Sequence, residues 1–257
     1  MIFYLPLFAL VSWYLGPPQQ YVTASVASIN STVNPYNSIA AIPLPAGYKR
    51  RPVAAHSFAA WLRALPLKKD RTVYLFNGQP RANQAKPFAV VDISTGNKDL
   101  QQCADVVMRL RAEYLYAEQQ FAAIDFTDNN QHHYRLPANP SRAAFMQYLE
   151  NVFAFCGTAS LEKQLTPLKN MQELEAGDVL IKGGSPGHAM LLADLAVNDS
   201  GDIIYLLVQG YMPAQDMHIV NNPLQPALGP WFSAKDDPIE TPDWRFTKKQ
   251  WRKWPVN

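Results

Sequence analysis

Charge is scarce at the front of this 257-residue chain: no acidic residue precedes Asp70, and no charged side chain of either sign precedes Lys49. Lys49, Arg50, Arg51, Arg63, Lys68 and Lys69 then give the first 69 residues a charge of +6. A solvated basic turn explains that cluster, and an acidic surface or polymer partner is the alternative. The chain as a whole carries only +2, which argues against nucleic acid as a partner. Cysteine is nearly absent, at two residues, and no HExxH, CxxC or GxGxxG string occurs. Zinc and dinucleotide chemistry therefore have no support, and neither a metal nor a cofactor is expected. His132 and His133 look like a metal pair, but neighbours on a strand face opposite ways and cannot chelate one ion together.

Long apolar runs are also few. Met1 to Gly16 is apolar and uncharged, yet falls short of the about 20 residues that span a bilayer. It suits the apolar core of a signal peptide, with Pro17-Pro18 and the small residues Thr23 to Ser28 behind it. Either the amino group supplies the missing positive end or the true start lies upstream. Residues 1–28 are expected to be a signal peptide and 29–41 a polar linker, with one domain over 42–257 and no stable membrane span. The protein is then exported, to the periplasm or cell envelope.

Hydrophobic residues at 48% and charged residues at 17% describe a folded globular chain. Ser57 caps a short helix, Phe58 to Leu65, which Pro66 stops. Thr72 to Phe76 reads as a strand ending at the Asn77-Gly78 turn, and Phe88 to Ile93 as a buried strand. Asp99 caps a long helix whose stripe is Leu100, Cys103, Val107, Leu110 and Tyr114. A hairpin over Ile124 to Leu136, a helix over Ser141 to Phe155 and a short helix from Ser160 follow. Val179 to Lys182, His188 to Val197 and Ile203 to Gln209 are strands, and the tryptophan-rich tail wraps the core. Helices first and then an antiparallel meander make the class α+β.

One pair of residues points at chemistry. Cys103 stands in the first turn of the long helix, where the macrodipole favours a thiolate. His188 opens a strand after a glycine-rich loop, where it can act as a general base. Cys103 would attack an amide carbonyl, and its backbone N–H with Gln102 would form the oxyanion hole. If Asn198 to Gly201 is a symmetric hairpin turn, His188 faces Tyr211, and Gln209 becomes its diagonal neighbour, able to fix the imidazole tautomer. Asp194 shares that face but lies roughly 20 Å along the strand, at about 3.3 Å per residue. Gly187 and Tyr211, beside the imidazole, are the expected substrate-binding positions. The bland alternative keeps Cys103 as a small core residue or pairs it with Cys156 in a disulfide.

Gly177-Asp178-Val179-Leu180, Gly187-His188-Ala189-Met190 and Gln102-Cys103 resemble the matching strings of NlpC-type and CHAP-type cell-wall amidases. That resemblance implies a papain-like α+β fold, a nucleophile helix followed by an antiparallel sheet, with residues around 120–170 as an insertion. It implies a thiol amidase or peptidase, or an acyltransferase, acting on a peptide or cell-wall stem peptide through Cys103, His188 and Gln209. NlpC-type enzymes often have Asp before the cysteine, where this chain has Gln102. Asp99 to Asp105 and Val208 to Pro213 also resemble an exported bacterial family known only as a domain of unknown function, over about Ile42 to Val220. The rival class is a non-catalytic envelope binding protein on the same fold, with Cys103 buried or disulfide-bonded.

Overall fold

The helix signals at Ser57 and Ser141 are met in the computed structural model, which describes Met1 and residues 32–255. Its α-helices are α1 (Phe58–Arg63), α2 (Cys103–Ala117), α3 (Arg142–Phe155) and α4 (Thr158–Gln164). Ser57 Oγ accepts from the Ala60 N–H and Ser141 Oγ from the Ala144 N–H, satisfying one orphan donor each. The start of α2 differs from expectation. Asp105 Oδ2 accepts from the Gln102 N–H at 2.9 Å, so the capping group lies inside the helix. Asp99 instead accepts from the Ala214 N–H at 2.6 Å and holds the helix start to a loop of the sheet. Twelve of the 15 residues of α2 are buried, so the helix is enclosed on most sides and not only along one stripe.

The strands are β1 (Tyr48–Arg50), β2 (Pro87–Val90), β3 (Asp125–Thr127), β4 (His133–Arg135), β5 (Thr166–Pro167), β6 (Val179–Lys182) and β7 (His188–Asn198). They continue as β8 (Ile203–Gln209), β9 (His218–Val220), β10 (Phe232–Ser233), β11 (Ile239–Glu240), β12 (Arg245–Phe246) and β13 (Trp251–Lys253). Among the described residues one nine-stranded sheet runs β2-β9-β8-β7-β6-β13-β5, with β1 on β7 and β10 on β8. All its pairs are antiparallel. The chain is mixed α+β with a large antiparallel sheet. No helix among the described residues is long and apolar enough to cross a membrane.

Alternation along β7 splits the interior in two. Ala189, Leu191 and Ala193 meet α2 through Val106, Val107 and Leu110. Met190 and Leu192 face the other way, into Tyr205, Leu207, Phe246 and Trp251. The second core is closed by the tail, as Trp251 enters the sheet on β13 between β6 and β5. The stretch expected as an insertion sends Phe145, Leu149 and Val152 into the first core, beside α2.

Two expectations are corrected. Thr72 to Phe76 forms no strand, only single bridges at Tyr74 and Leu75, although the turn at Gly78 is there with φ +80. The linker over 29–41 is packed from Thr32 on, because polar composition concealed anchoring groups. Asn34 is buried with its amide on the Tyr36 and Lys68 carbonyls, and Ile39 is fully buried. The signal peptide expected over 1–28 lies outside the described residues.

Gly210, just after β8, packs tightly against the start of α2. A Cβ there would stand 2.6 Å from Val106 Cγ2 and 2.8 Å from the Gln102 carbonyl oxygen. Gly210→Ala should therefore cost about 1–3 kcal/mol, the usual penalty for overpacking, read from the denaturant midpoint. An unchanged midpoint would show that the helix start can move aside freely.

Candidate functional site

Cys103 opens α2 and lines a shallow cleft of about 290 Å³ with the Gly184–Gly187 loop, Thr158, Phe153 and Met212. Gly187 stands there because a side chain would strike the Gly184 and Lys182 carbonyl oxygens. Burial pushes the Cys103 thiol above its ordinary value and the Asp105 carboxyl pushes it further. The N–H groups of Ala104, Ala189 and Cys103 oppose that shift without reversing it. Burial raises Asp105 itself well above its ordinary value, with the Gln102 N–H opposing. Cys156, on the same cleft, is pushed up to about 12 by burial with Asp128 and Asp105 nearby. Both cysteines are free and buried, so the disulfide alternative is not formed. The helix start does not produce a thiolate here.

His188 lies on the other face of the sheet. Its ring packs on Phe246 at 5.9 Å, Trp244 at 5.6 Å and Tyr211 at 5.3 Å. Phe246 belongs to the core opposite α2, whereas the thiol sits by the Ala189 N–H on the helix side. Adjacent residues of a strand cannot both point at the helix. The structure thus brings Cys103 together with Gly187 but not with His188, Gln209 or Tyr211. Tyr211 packs between His188 and Arg81, whose guanidinium lies 5.8 Å from the ring, and not on the thiol cleft. Gln102 is also unavailable as an oxyanion donor. Its N–H goes to Asp105 and the Leu100 carbonyl, and its side-chain amide to Asp99.

Gln209 stands within hydrogen-bond distance of the His188 ring. Its Oε1 accepts from His188 Nε2 at 2.9 Å, and its Nε2 donates to Asp243 Oδ2 at 2.7 Å. His218, fully buried, accepts at Nε2 from Arg81 Nη1 at 3.2 Å and Gln209 Nε2 at 3.3 Å. Its Nδ1–H donates to the Asp216 carbonyl at 2.9 Å, which fixes the tautomer. Arg81 grips Asp243 with Nη2 at 2.7 and 2.9 Å, and Lys86 adds a third contact at 2.6 Å. These donors hold the Asp243 carboxyl down to about 2 against its burial. Burial lowers the His188 pKa as well, with Gln209 and Asp243 opposing. Through Asp243 this network ties the tail to β8 and to the segment of Arg81 and Lys86.

Arg81 and Asp243 were not singled out by the sequence, since 162 residues separate them and neither sits in a motif. His218 meets Arg81 across 137 residues in the same way. A second cavity, about 410 Å³, lies among Arg51, Phe58, Arg111, Asp178, Lys253 and Trp254. No sequence string marks it, because α1, α2, the Gly177 turn and the tail all contribute.

No curated protein and no solved structure matches the chain. A family model does match, over residues 39–138 and 127–253, and so covers most of the chain. The match takes in the Asp99–Asp105 and Val208–Pro213 strings and reaches beyond Val220 to Lys253. The chain belongs to the family described as domain of unknown function (4846).

Proposed function

We propose that the chain is a non-catalytic binding protein of the cell envelope on a papain-like α+β scaffold. The scaffold half of the reading is supported by α2 packed on β7 and β8, central antiparallel strands that follow it in the chain. The observation that carries the functional half is the placement of the Cys103 thiol and the His188 ring on opposite faces of that sheet. A thiol amidase needs a base within hydrogen-bond reach of its nucleophile. His188 is instead spent on Gln209 and the aromatic tail. The amidase reading keeps one support, the cleft that Cys103 lines with the Gly184–Gly187 loop. Its base would then have to be another group, and burial raises the neighbouring Asp105 carboxyl well above its ordinary value.

Intact mass after brief iodoacetamide treatment separates the two readings. On protein purified from its native host, neither thiol should be modified while the chain is folded, and both should react once it is unfolded. One rapidly alkylated thiol, mapped to Cys103, would overturn the binding reading. The same mass reports where the mature chain begins. A start near Ser28 supports export with cleavage, and a start at Met1 argues for a retained anchor.

A further inference from the structure

Arg111 is half-buried on α2 and carries its guanidinium over three aromatic rings. The centroids of Phe58, Trp254 and Tyr114 lie 5.2, 5.4 and 5.6 Å away. Among the described residues, no hydrogen bond or ion pair reaches it. The other cations on the same 410 Å³ cavity are all engaged. Arg51 donates to the Leu174 carbonyl at 2.7 Å, and Arg63 to Asp194 at 2.8 Å. Lys253 reaches the Glu173 carbonyl at 2.8 Å and Asp178 at 3.3 Å. Arg111 alone among them presents its fork of N–H donors without an acceptor.

The Arg111 N–H groups are not among the buried atoms without a partner, so they stay open to the cavity and its solvent. Three ring faces hold the guanidinium in place while leaving its in-plane donors available to a ligand. The cavity volume falls in the range of small-molecule sites, about 300–1,000 Å³. Its lining carries four cations against two carboxyls, Glu175 and Asp178. Asp178 is already committed to Lys253 and the Glu175 N–H. We propose that this cavity binds a monocarboxylate with an apolar or aromatic body. The carboxylate takes the open fork of Arg111 in bidentate fashion, and the body lies against Phe58 and Trp254. A dianion such as phosphate fits less well, because one cation is free and its second charge would face Asp178 and Glu175. This inference rests on the binding-protein reading and supplies its ligand class.

Titration calorimetry of the full chain with 3-phenylpropionate tests it, with the neutral 3-phenylpropionamide and inorganic phosphate as comparisons. Saturable binding of the carboxylate is expected, at least about tenfold weaker for the amide, the loss one charge-assisted hydrogen bond carries. Arg111→Gln should show the same loss with an unchanged far-UV spectrum. Should that variant fail to fold, Arg111→Lys keeps the cation over the rings but not the fork, and should bind several-fold more weakly. Failure of the carboxylate to saturate, equal binding of the amide, equal binding by the Arg111 variants, or displacement by phosphate would each overturn the proposal. None of these outcomes depends on Cys103. Rapid alkylation of that thiol would overturn the binding reading while leaving the titration untouched.

Discussion

Asp194→Ala should lower stability by about 3–5 kcal/mol, the cost of removing one partner from a buried ion cluster. The Asp194 side chain is fully buried and receives Arg50 Nε at 2.6 Å and Arg63 Nε at 2.8 Å, with the Leu195 N–H at 2.9 Å. Both arginines are largely buried too, at 21% and 18% side-chain exposure, so neither can turn to water when the carboxylate is gone. They also hold the chain on either side. Arg50 donates to the Ile42 carbonyl and Arg63 to the Arg51 carbonyl, so the cluster joins β1, α1 and β7. Asp194→Asn keeps an acceptor of the same shape and should lose less. The measurement is a denaturant midpoint at unchanged slope, with a fall in Tm on the order of 10 °C. A loss below about 1 kcal/mol would mean that the two guanidiniums find other acceptors, and the cluster would not be holding the fold.

Helices and central strands were legible in the sequence because local signals set them. Ser57 and Ser141 cap where a serine precedes an apolar run, and β6, β7 and β8 are unbroken β-branched or leucine-rich segments. The register of β7 against β8 was legible for a less direct reason. A symmetric turn would pair Val197 with Asp202, yet Val197 pairs with Ile203. A bulge between Leu192 and Asp194 then removes the offset, so Leu191 meets Val208. Two departures cancel, and Gln209 reaches His188 as the simple register implies. The packed segment after Thr32 was not legible. Its anchors are single residues, Asn34 and Ile39, whose partners at Lys68 and Leu65 lie about 30 residues away.

The candidate site divides in the same way. That Cys103 opens a helix and His188 a strand follows from local pattern. Which face of the strand meets the helix does not. Ala189, Leu191 and Ala193 on one side and Met190 and Leu192 on the other are both apolar rows, because β7 is buried on both faces. Periodicity has nothing to report on a strand without a wet side. The smaller row takes the helix, since alanines let α2 come close, and the imidazole is turned to the tail. Arg111 hid for a different reason: a lone arginine on a helix reads as a solvated one until the tail brings Trp254 over it.

Two buried groups titrate in opposite senses between neutral and mildly acid pH, and removing either should expose the other. Burial holds His218 neutral, down to about 4, with the Arg81 and His188 charges adding to it and the Asp216 carbonyl and Asp243 opposing. Its folded value lies below the unfolded one, so stability is complete above about 6.5 and is lost as pH falls toward 4. From pH 7 to 4.5 this removes about 2–3 kcal/mol, at 1.36 kcal/mol per pKa unit. Asp178 behaves the other way. Burial raises it to about 6 despite the Glu175 N–H and Lys253, so its charge costs stability at neutral pH. That cost is relieved as pH falls from 6 toward 3.8, returning about 2 kcal/mol over the same range. Asp243, held at about 2, stays ionised throughout and does not contribute until more acid conditions. The unmodified chain should therefore change little between pH 7 and 4.5 from these groups. Asp178→Asn should weaken on acidification by about 2 kcal/mol relative to it, and His218→Gln should strengthen by a similar amount. Denaturant midpoints at the two pH values check both, and parallel profiles for all three proteins would show that neither group is shifted as its burial requires.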